Sequence, residues 1–227
     1  MRVFAALLLI CLGQAAMADG SRFYPPEGCT GFLTVQNRSC EVTNYWTCEG
    51  EAAGDQWSID LGPDGPIYLS KIDYETQWID SYEFSPVLRE QIVLPAKDPA
   101  SFTDLLRDGV DTFDFQLSSP EGISRVVGAD RIVERGIEID GEPLMRTEYA
   151  VRVTAADGTM IWEAEGYEYI SEKHRRFFTG LREGRDQNGS YSYDGSPVDF
   201  IYPGEPGFFS KTPLYGCAAL TVRYAPN

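Results

Sequence analysis

Alternation of apolar and polar residues is the main pattern along the chain. It is clearest in residues 68–84 (YLSKIDYETQWIDSYEF), where even positions are mostly aromatic or aliphatic and odd positions are mostly polar or charged. A period of two is typical of a β-strand with one buried face. We therefore predict one long strand that can bend at its middle. The rings expected on its inner face include Tyr68, Tyr74, Trp78 and Tyr82.

The same alternation continues in the second half of the chain. Residues 144–154 alternate, and the Asp157-Gly158 pair that follows favours a hairpin turn. The return strand, residues 160–170, carries Trp162, and further strands are expected before and after this pair. The predicted fold class is therefore mainly β, a long antiparallel meander that forms a curved sheet or half-barrel.

One short helix is predicted to cover the sheet near residues 98–108. Asp98 is a suitable N-cap, Pro99 a suitable first helical residue, and Gly109 a suitable end. The apolar stripe that this helix would bury consists of Phe102, Leu105 and Leu106. Further along, residues 184–208 are dense in Gly, Pro, Ser, Asn and Asp, which indicates a long ordered loop.

The first residues are organised like a secretory signal peptide. A basic residue precedes an apolar run, and the small residues that end at Ala18 fit the rule for cleavage. We expect a cleaved leader at residues 1–18 and a single β-rich domain at residues 19–227, located in the periplasm or secreted. No apolar run is long enough to span a membrane.

Cleavage would remove Cys11 and leave an even number of cysteines in an oxidising compartment. The remaining ones are Cys29, Cys40, Cys48 and Cys217. Their spacing has no CxxC pair and the chain has one histidine, so disulfides explain them better than zinc or a nucleophilic thiol. The short segment between Cys40 and Cys48 favours the pairs Cys40–Cys48 and Cys29–Cys217. The alternative, Cys29–Cys48 with Cys40–Cys217, would follow from a hairpin turn at Arg38-Ser39.

The acidic composition narrows the range of partners. The formal net charge is −16, so nucleic acid and anionic membrane surfaces would repel the protein. With 43% hydrophobic and 13% aromatic residues, the chain can bury a sizeable core. No sequence motif indicates a metal or a cofactor, and we predict none.

Candidate catalytic groups are few. His174 lies in a predicted turn beside two arginines, so we expect it to be exposed rather than part of a catalytic triad. Glu163 and Glu165 are the best candidates for a hydrolytic carboxylate pair, since they share one face of a predicted strand. In a chain with 35 acidic residues such pairs arise by chance, and we predict no catalytic residue.

A ligand-binding surface is the more promising hypothesis. The predicted inner face is aromatic, and the polar hydroxyl of tyrosine favours an open groove over a dry core. Two arginines in the basic segment KHRRFF could hold a phosphate or a lipid headgroup. The candidate binding residues are Tyr68, Tyr74, Trp78, Tyr82, Trp162, Arg175 and Arg176.

Three segments carry a resemblance to a known family. They are GFLTVQNRSCEVTNYWTC (31–48), DGSPVDFIYPGEPGF (194–208) and YGCAAL (215–220). They are similar to an uncharacterised family of secreted alphaproteobacterial proteins with no assigned activity, over most of the mature chain. The resemblance implies export and paired cysteines, and no reaction. The predicted architecture also resembles the half-barrel of periplasmic lipoprotein carriers, although a shared fold does not imply a shared function.

Functions from three classes remain open. We favour an exported, non-catalytic binding protein that holds an apolar or amphipathic, lipid-like ligand on a concave aromatic sheet face. The first alternative is a structural or protein-interaction component of the cell envelope, in which the same rings form core. The second alternative is a carboxylate-dependent hydrolase. The expected partner is accordingly an apolar ligand or an envelope protein.

Overall fold

The computed structural model describes residues 21–219, and within them thirteen β-strands form one antiparallel sheet. A short helix, α1 (Phe102–Asp108), lies between β6 and β7, and a 3₁₀ turn spans Cys217–Ala219. The strands are β1 (Cys29–Asn37), β2 (Glu41–Cys48), β3 (Gln56–Gly62), β4 (Gly65–Ile72), β5 (Trp78–Phe84), β6 (Val87–Asp98), β7 (Val110–Ser119), β8 (Gly122–Ile139), β9 (Glu142–Ala155), β10 (Met160–Ser171), β11 (Arg176–Asp186), β12 (Gly189–Asp194) and β13 (Pro197–Ile201).

The sheet is a meander in which each strand from β1 to β12 pairs with the next one along the chain. β13 breaks this order, because it returns to pair with β1 at the edge opposite β12. Within the described residues the two edge strands, β12 and β13, do not pair, so the curved sheet stays open. The predicted mainly β, antiparallel and curved architecture is confirmed.

Strong curvature brings distant strands together. Arg176 of β11 donates to the Ser58 hydroxyl at 2.6 Å and to the Gln56 side-chain oxygen at 3.3 Å, both in β3. The strands from β10 to β4 all lie between β11 and β3 in the sheet. Strand twist accumulates over so many strands that the two halves of the meander come to face each other.

The predicted long strand at residues 68–84 is wrong, because the segment is a hairpin of β4 and β5. In the connecting turn the Asp73 carboxylate accepts the backbone N–H groups of Glu75 and Gln77, each at 2.9 Å. Thr76 in the same turn has a positive φ of 65°. A side chain that bonds to the backbone just after it favours a turn over a continued strand. The alternation therefore belongs to two antiparallel strands.

The helix α1 begins at Phe102, three residues later than predicted. Ser101 is the N-cap, and its side chain accepts a backbone N–H of the first turn at 3.2 Å. The predicted cap, Asp98, belongs instead to β6. The predicted end at Gly109 is confirmed, and this glycine has the left-handed φ of 79°. The buried face of the helix consists of Phe102 and Leu105, with Leu106 partly buried, and it packs on Ile132, Met145, Ile170 and Phe177.

Residues 184–208 contain the end of β11 and all of β12 and β13, so the predicted long loop is wrong. The chain then crosses the outer side of β1 and β2, where Phe209 is buried. A Cβ at Gly31 would lie 2.3 Å from the Phe209 ring, so glycine is needed at that position. Gln36 and Asn44 hold the crossing segment through side-chain bonds to its backbone at 2.9–3.1 Å.

The disulfides join Cys29 to Cys48 and Cys40 to Cys217. The favoured pairing, Cys40–Cys48 with Cys29–Cys217, is therefore wrong, and the hairpin alternative is correct. The strand register explains the outcome. Cys29 and Cys48 are directly opposite each other in β1 and β2, whereas the whole length of β2 separates Cys40 from Cys48.

The predicted signal peptide at residues 1–18 lies outside the described residues. Among the residues that are described, no helix is both long and apolar enough to cross a membrane. The two disulfides are compatible with an extracellular location, since such bonds persist in oxidising compartments.

Candidate functional site

The concave side of the sheet, which we call the inner face, is the main candidate surface. On β7 to β10 its inward side chains alternate with exposed ones such as Gln116 and Val127. The register sets the inward residues side by side. We call the resulting group the apolar layer: Phe113, Phe115, Leu117, Val126, Val151, Val153 and Ala164 are buried, and Tyr149, Ile161 and Trp162 are partly buried against them.

The centre of the apolar layer is closed. Gly128 of β8 pairs with Phe113 of β7, and a Cβ at Gly128 would lie 2.4 Å from the Phe113 ring. Glycine at this position therefore lets the ring lie directly against the backbone. Val126, two residues away, is 0% exposed. A ligand can consequently reach the margins of the layer but not its centre.

Two acidic side chains lie beside the apolar layer. Asp130 of β8 pairs with Tyr149 of β9, which also pairs with Gly166 of β10, and Glu168 lies two residues beyond Gly166, opposite Thr147. Asp130 is only 9% exposed, yet its carboxylate has no hydrogen bond or ion pair within residues 21–219. The Glu168 carboxylate and the Tyr149 hydroxyl also have no such partner there. Because buried polar groups are nearly always bonded, the unpartnered Asp130 is unusual; we call Asp130, Glu168 and Tyr149, of which the last two are partly buried, the carboxylate recess.

Burial and like charge disfavour ionisation in the carboxylate recess. Burial raises the pKa of Asp130, and the charges of Glu168 and Asp111 raise it further. Burial also raises the pKa of Glu168, against the opposing charge of Arg182. The neighbouring Asp111 has its pKa raised to about 6, mainly by burial. Both acids are therefore held toward their protonated forms, and a nearby cation would favour their ionisation.

Arg182 is the cation whose charge acts on Glu168. Its guanidinium carbon lies 5.0 Å from the centroid of the Tyr193 ring and 5.7 Å from that of Tyr191. Its Nε is buried without a hydrogen-bond partner, and it makes no ion pair with a described residue. Burial raises the pKa of Asp60, and the charge of Arg182 opposes this rise, so Arg182 acts on more than one carboxylate rather than pairing with one.

The aromatic residues predicted to share one face are divided between two. Tyr68 is paired with Glu83, so the adjacent Tyr82 points to the opposite side of β5. Trp78 lies on the inner face, where it packs edge-on against Phe115 with ring centroids 5.6 Å apart. Trp162 contacts the same apolar layer, while Tyr82 lies on the outer side.

Tyr74 and the two predicted arginines take part in contacts within the protein. The Arg175 guanidinium carbon lies 3.8 Å from the Tyr74 ring centroid, and Arg175 forms an ion pair with Glu75 at 3.2 Å. Arg176 is buried against Tyr45. Both guanidinium groups thus have partners of their own and lie away from the apolar layer.

The carboxylate pair considered for hydrolysis is an ordinary surface feature. Glu163 forms ion pairs with Arg152 at 2.6 Å and with Arg185 at 2.5 Å. The hydrogen bond from Arg152 and the charges of both arginines lower the pKa of Glu163, while Glu165 is exposed. A carboxylate that is held ionised in this way is a poor general acid.

The His174 side chain is largely buried, contrary to the prediction that it would be exposed, although the residue as a whole is only partly buried. Its side chain is 9% exposed and stacks between Phe32 and Tyr202, with ring centroids 6.0 Å away on each side. Nε2 lies 3.1 Å from the Tyr202 hydroxyl and 3.4 Å from the Glu142 carboxylate. Glu142 also accepts from Lys173 at 3.0 Å and from Tyr202. The buried Glu142 carboxylate therefore has its hydrogen-bond partners within the protein. The cluster holds the turn that contains His174 against Glu142 and Tyr202.

The inward acids were not singled out from the sequence, although a signal was present. In VVGADRI (126–132) the inward positions run Val126, Gly128, Asp130, and in AEGYE (164–168) they run Ala164, Gly166, Glu168. An acid that continues an apolar series on one face of a strand indicates a buried charge.

No family model, no curated protein and no solved structure matches the chain. The resemblance to secreted alphaproteobacterial proteins and the likeness to lipoprotein carriers therefore stay predictions. Fold alone does not determine function, so the side chains of the inner face are the relevant observation.

Proposed function

We propose that the protein is exported and binds an amphipathic ligand at the margin of the inner face, without catalysing a reaction. The observation that supports this most directly is the adjacency of the apolar layer and the carboxylate recess on the same strands. Binding sites commonly combine an apolar wall with a few polar groups that orient the ligand. The paired cysteines agree with export.

The margin of the apolar layer suits a hydrocarbon chain. Trp78 is 38% exposed although it packs on the buried Phe115, and Trp162 is partly buried at the same layer. Covering such rings with an alkyl chain removes apolar surface from water, worth roughly 25 cal/mol per Å². The unpaired polar groups of the recess would then orient the other end of the ligand.

A structural or protein-interaction role in the envelope is the second candidate. The complete burial of Val126 shows that part of the apolar layer is ordinary core. If its margin were also covered in the assembled envelope, the same rings would stabilise the fold or a protein interface and bind no small molecule.

Native mass spectrometry of protein purified from its own periplasm distinguishes the two candidates. We expect an amphiphile that leaves on denaturation, and a change in tryptophan fluorescence when the stripped protein is titrated with 1-octanol. Trp162→Phe should reduce this response. Tyr82→Phe, on the outer side, is the matched control and should retain it. A protein without ligand or response to octanol that co-purifies with a stoichiometric protein partner would favour the envelope role.

A further inference from the structure

We propose that the ligand of the inner face has a cationic head, a primary ammonium group, that is bound by Asp130 and Glu168 of the carboxylate recess. This inference rests on the proposed binding function and names the chemical class of the ligand. Its basis is the position of two unpaired carboxylates directly beside an apolar layer.

Asp130 has the strongest need for a partner. It is 9% exposed and is flanked in the sheet by Asp111 of β7 and Tyr149 of β9. Neither neighbour donates to it: the Asp111 carboxylate accepts the Ser101 backbone N–H at 2.9 Å, and the Tyr149 hydroxyl makes no bond within the described chain. A carboxylate in this position has lost most of its contact with water and has gained no donor within the described residues. A positively charged N–H donor supplies both a proton donor and the opposite charge.

The charges around the recess select the sign of the head group. Glu168 and Asp111 both act on Asp130 as like charges. Arg182 acts on Glu168 from beyond ion-pair distance and is shared with Asp60. An anionic head would therefore meet several acidic groups for one arginine, and a neutral head would leave Asp130 and Glu168 in the protonated form that burial favours. An ammonium group is attracted to all of them.

The apolar layer favours an alkylammonium over a bare metal ion. Val151 follows Tyr149 on the inward side of β9, and Ala164 precedes Glu168 on that side of β10, so the apolar wall begins at the recess. A metal ion of the type that carboxylates bind takes oxygen ligands and gains nothing from such a wall. An alkyl chain is stabilised by it, and the Tyr149 ring adds a surface that attracts cations.

Three probes with the same chain test the head group: octylammonium, 1-octanol and octanoate, titrated by calorimetry at neutral pH. We expect octylammonium to bind about tenfold more tightly than octanol, as one charge-assisted hydrogen bond predicts, and octanoate to bind most weakly. Asp130→Asn and Glu168→Gln should each remove most of that preference and leave octanol binding unchanged. Glu163→Gln removes a partly exposed carboxylate that is ion-paired with two arginines, and it should change neither affinity.

The outcomes separate this inference from the binding function on which it rests. Equal affinities for the three probes, or tightest binding of octanoate, would overturn the cationic head and leave the binding function standing. If none of the three binds, both proposals fail. Should Asp130→Asn not fold, the wild-type preference and the Glu168→Gln variant decide the question on their own.

Discussion

The Arg176 guanidinium carbon lies 4.3 Å from the centroid of the Tyr45 ring, and the contact joins β11 to β2 across the inside of the sheet. The same guanidinium donates to Ser58 at 2.6 Å, so one side chain ties two strands of one half of the meander to the other half. The edge strands do not pair within the described residues. The curved sheet is therefore stabilised by side-chain contacts between its two halves, such as those of Arg176.

Replacing this side chain tests the arrangement. We expect Arg176→Ala to lower the free energy of unfolding by about 3–5 kcal/mol, because Ser58 and Gln56 lose their buried donor. Arg185→Ala, which removes an exposed ion pair with Glu163, should cost less than about 1 kcal/mol. Urea unfolding followed by circular dichroism gives both values. Equal losses of unfolding free energy in the two variants would show that Arg176 does not stabilise the contact between the two halves of the meander.

The sequence predicts the strands well because alternation is a local property. Residues 144–154 and 160–170 lie within β9 and β10, joined at the predicted hairpin turn. The prediction failed at Asp73, where one side chain bonded to the following backbone divides a run of uniform alternation.

The candidate site was predictable only in part, since its chemistry arises from strand register. Alternation alone places Asp130 and Glu168 inward, but their nearness depends on how β8, β9 and β10 pair. The burial of the His174 side chain could not be predicted from the sequence either, because its partners Glu142 and Tyr202 come from other segments of the chain. Trp78 and Trp162 were candidate binding residues from the sequence, and both rings contact the apolar layer, as large aromatic side chains in strands commonly do.

The two disulfides should differ in their contribution to stability. On the chain-entropy estimate, Cys40–Cys217, with a sequence separation of 177, contributes about 5 kcal/mol, and Cys29–Cys48, with a separation of 19, about 3 kcal/mol. Pairwise replacement by serine and urea unfolding measure the two values. Peptide mapping without reduction checks the pairing first, and a Cys40–Cys48 peptide would contradict the structure.

Glu168→Gln should stabilise the protein at and above neutral pH. Burial raises the pKa of Glu168, so the folded state binds the proton more tightly than the unfolded chain. The penalty for the ionised form is complete above the folded-state pKa and fades as the pH falls toward the ordinary pKa of glutamate, near 4.3. We expect a gain of about 1–2 kcal/mol near pH 8 that shrinks by about pH 5. A constant difference in melting temperature across this range would contradict the assignment.

His174 should give the opposite pH dependence. Burial lowers its pKa, against the charge of Glu142, so the unfolded chain binds the proton more tightly. Stability associated with neutral His174 is therefore lost as the pH falls below about 6.5, the ordinary pKa of histidine. We expect His174→Gln to lose less stability than the wild type between about pH 7 and pH 5. Comparing each variant with the wild type separates this effect from that of Glu168. Parallel curves would mean that His174 does not titrate differently on folding.

Trp78→Ala distinguishes a ligand-binding margin from closed core. Because Trp78 keeps 38% of its surface exposed, we expect a loss of about 2 kcal/mol, below the 3–5 kcal/mol typical of fully buried rings. Octanol binding, followed by calorimetry, should weaken severalfold as the apolar margin is lost. Tyr82→Ala removes a ring from the outer side of the same strand, β5, and should leave octanol binding unchanged. A loss of 3–5 kcal/mol for Trp78→Ala, in a protein whose wild type does not bind octanol, would assign these rings to core and contradict the binding proposal.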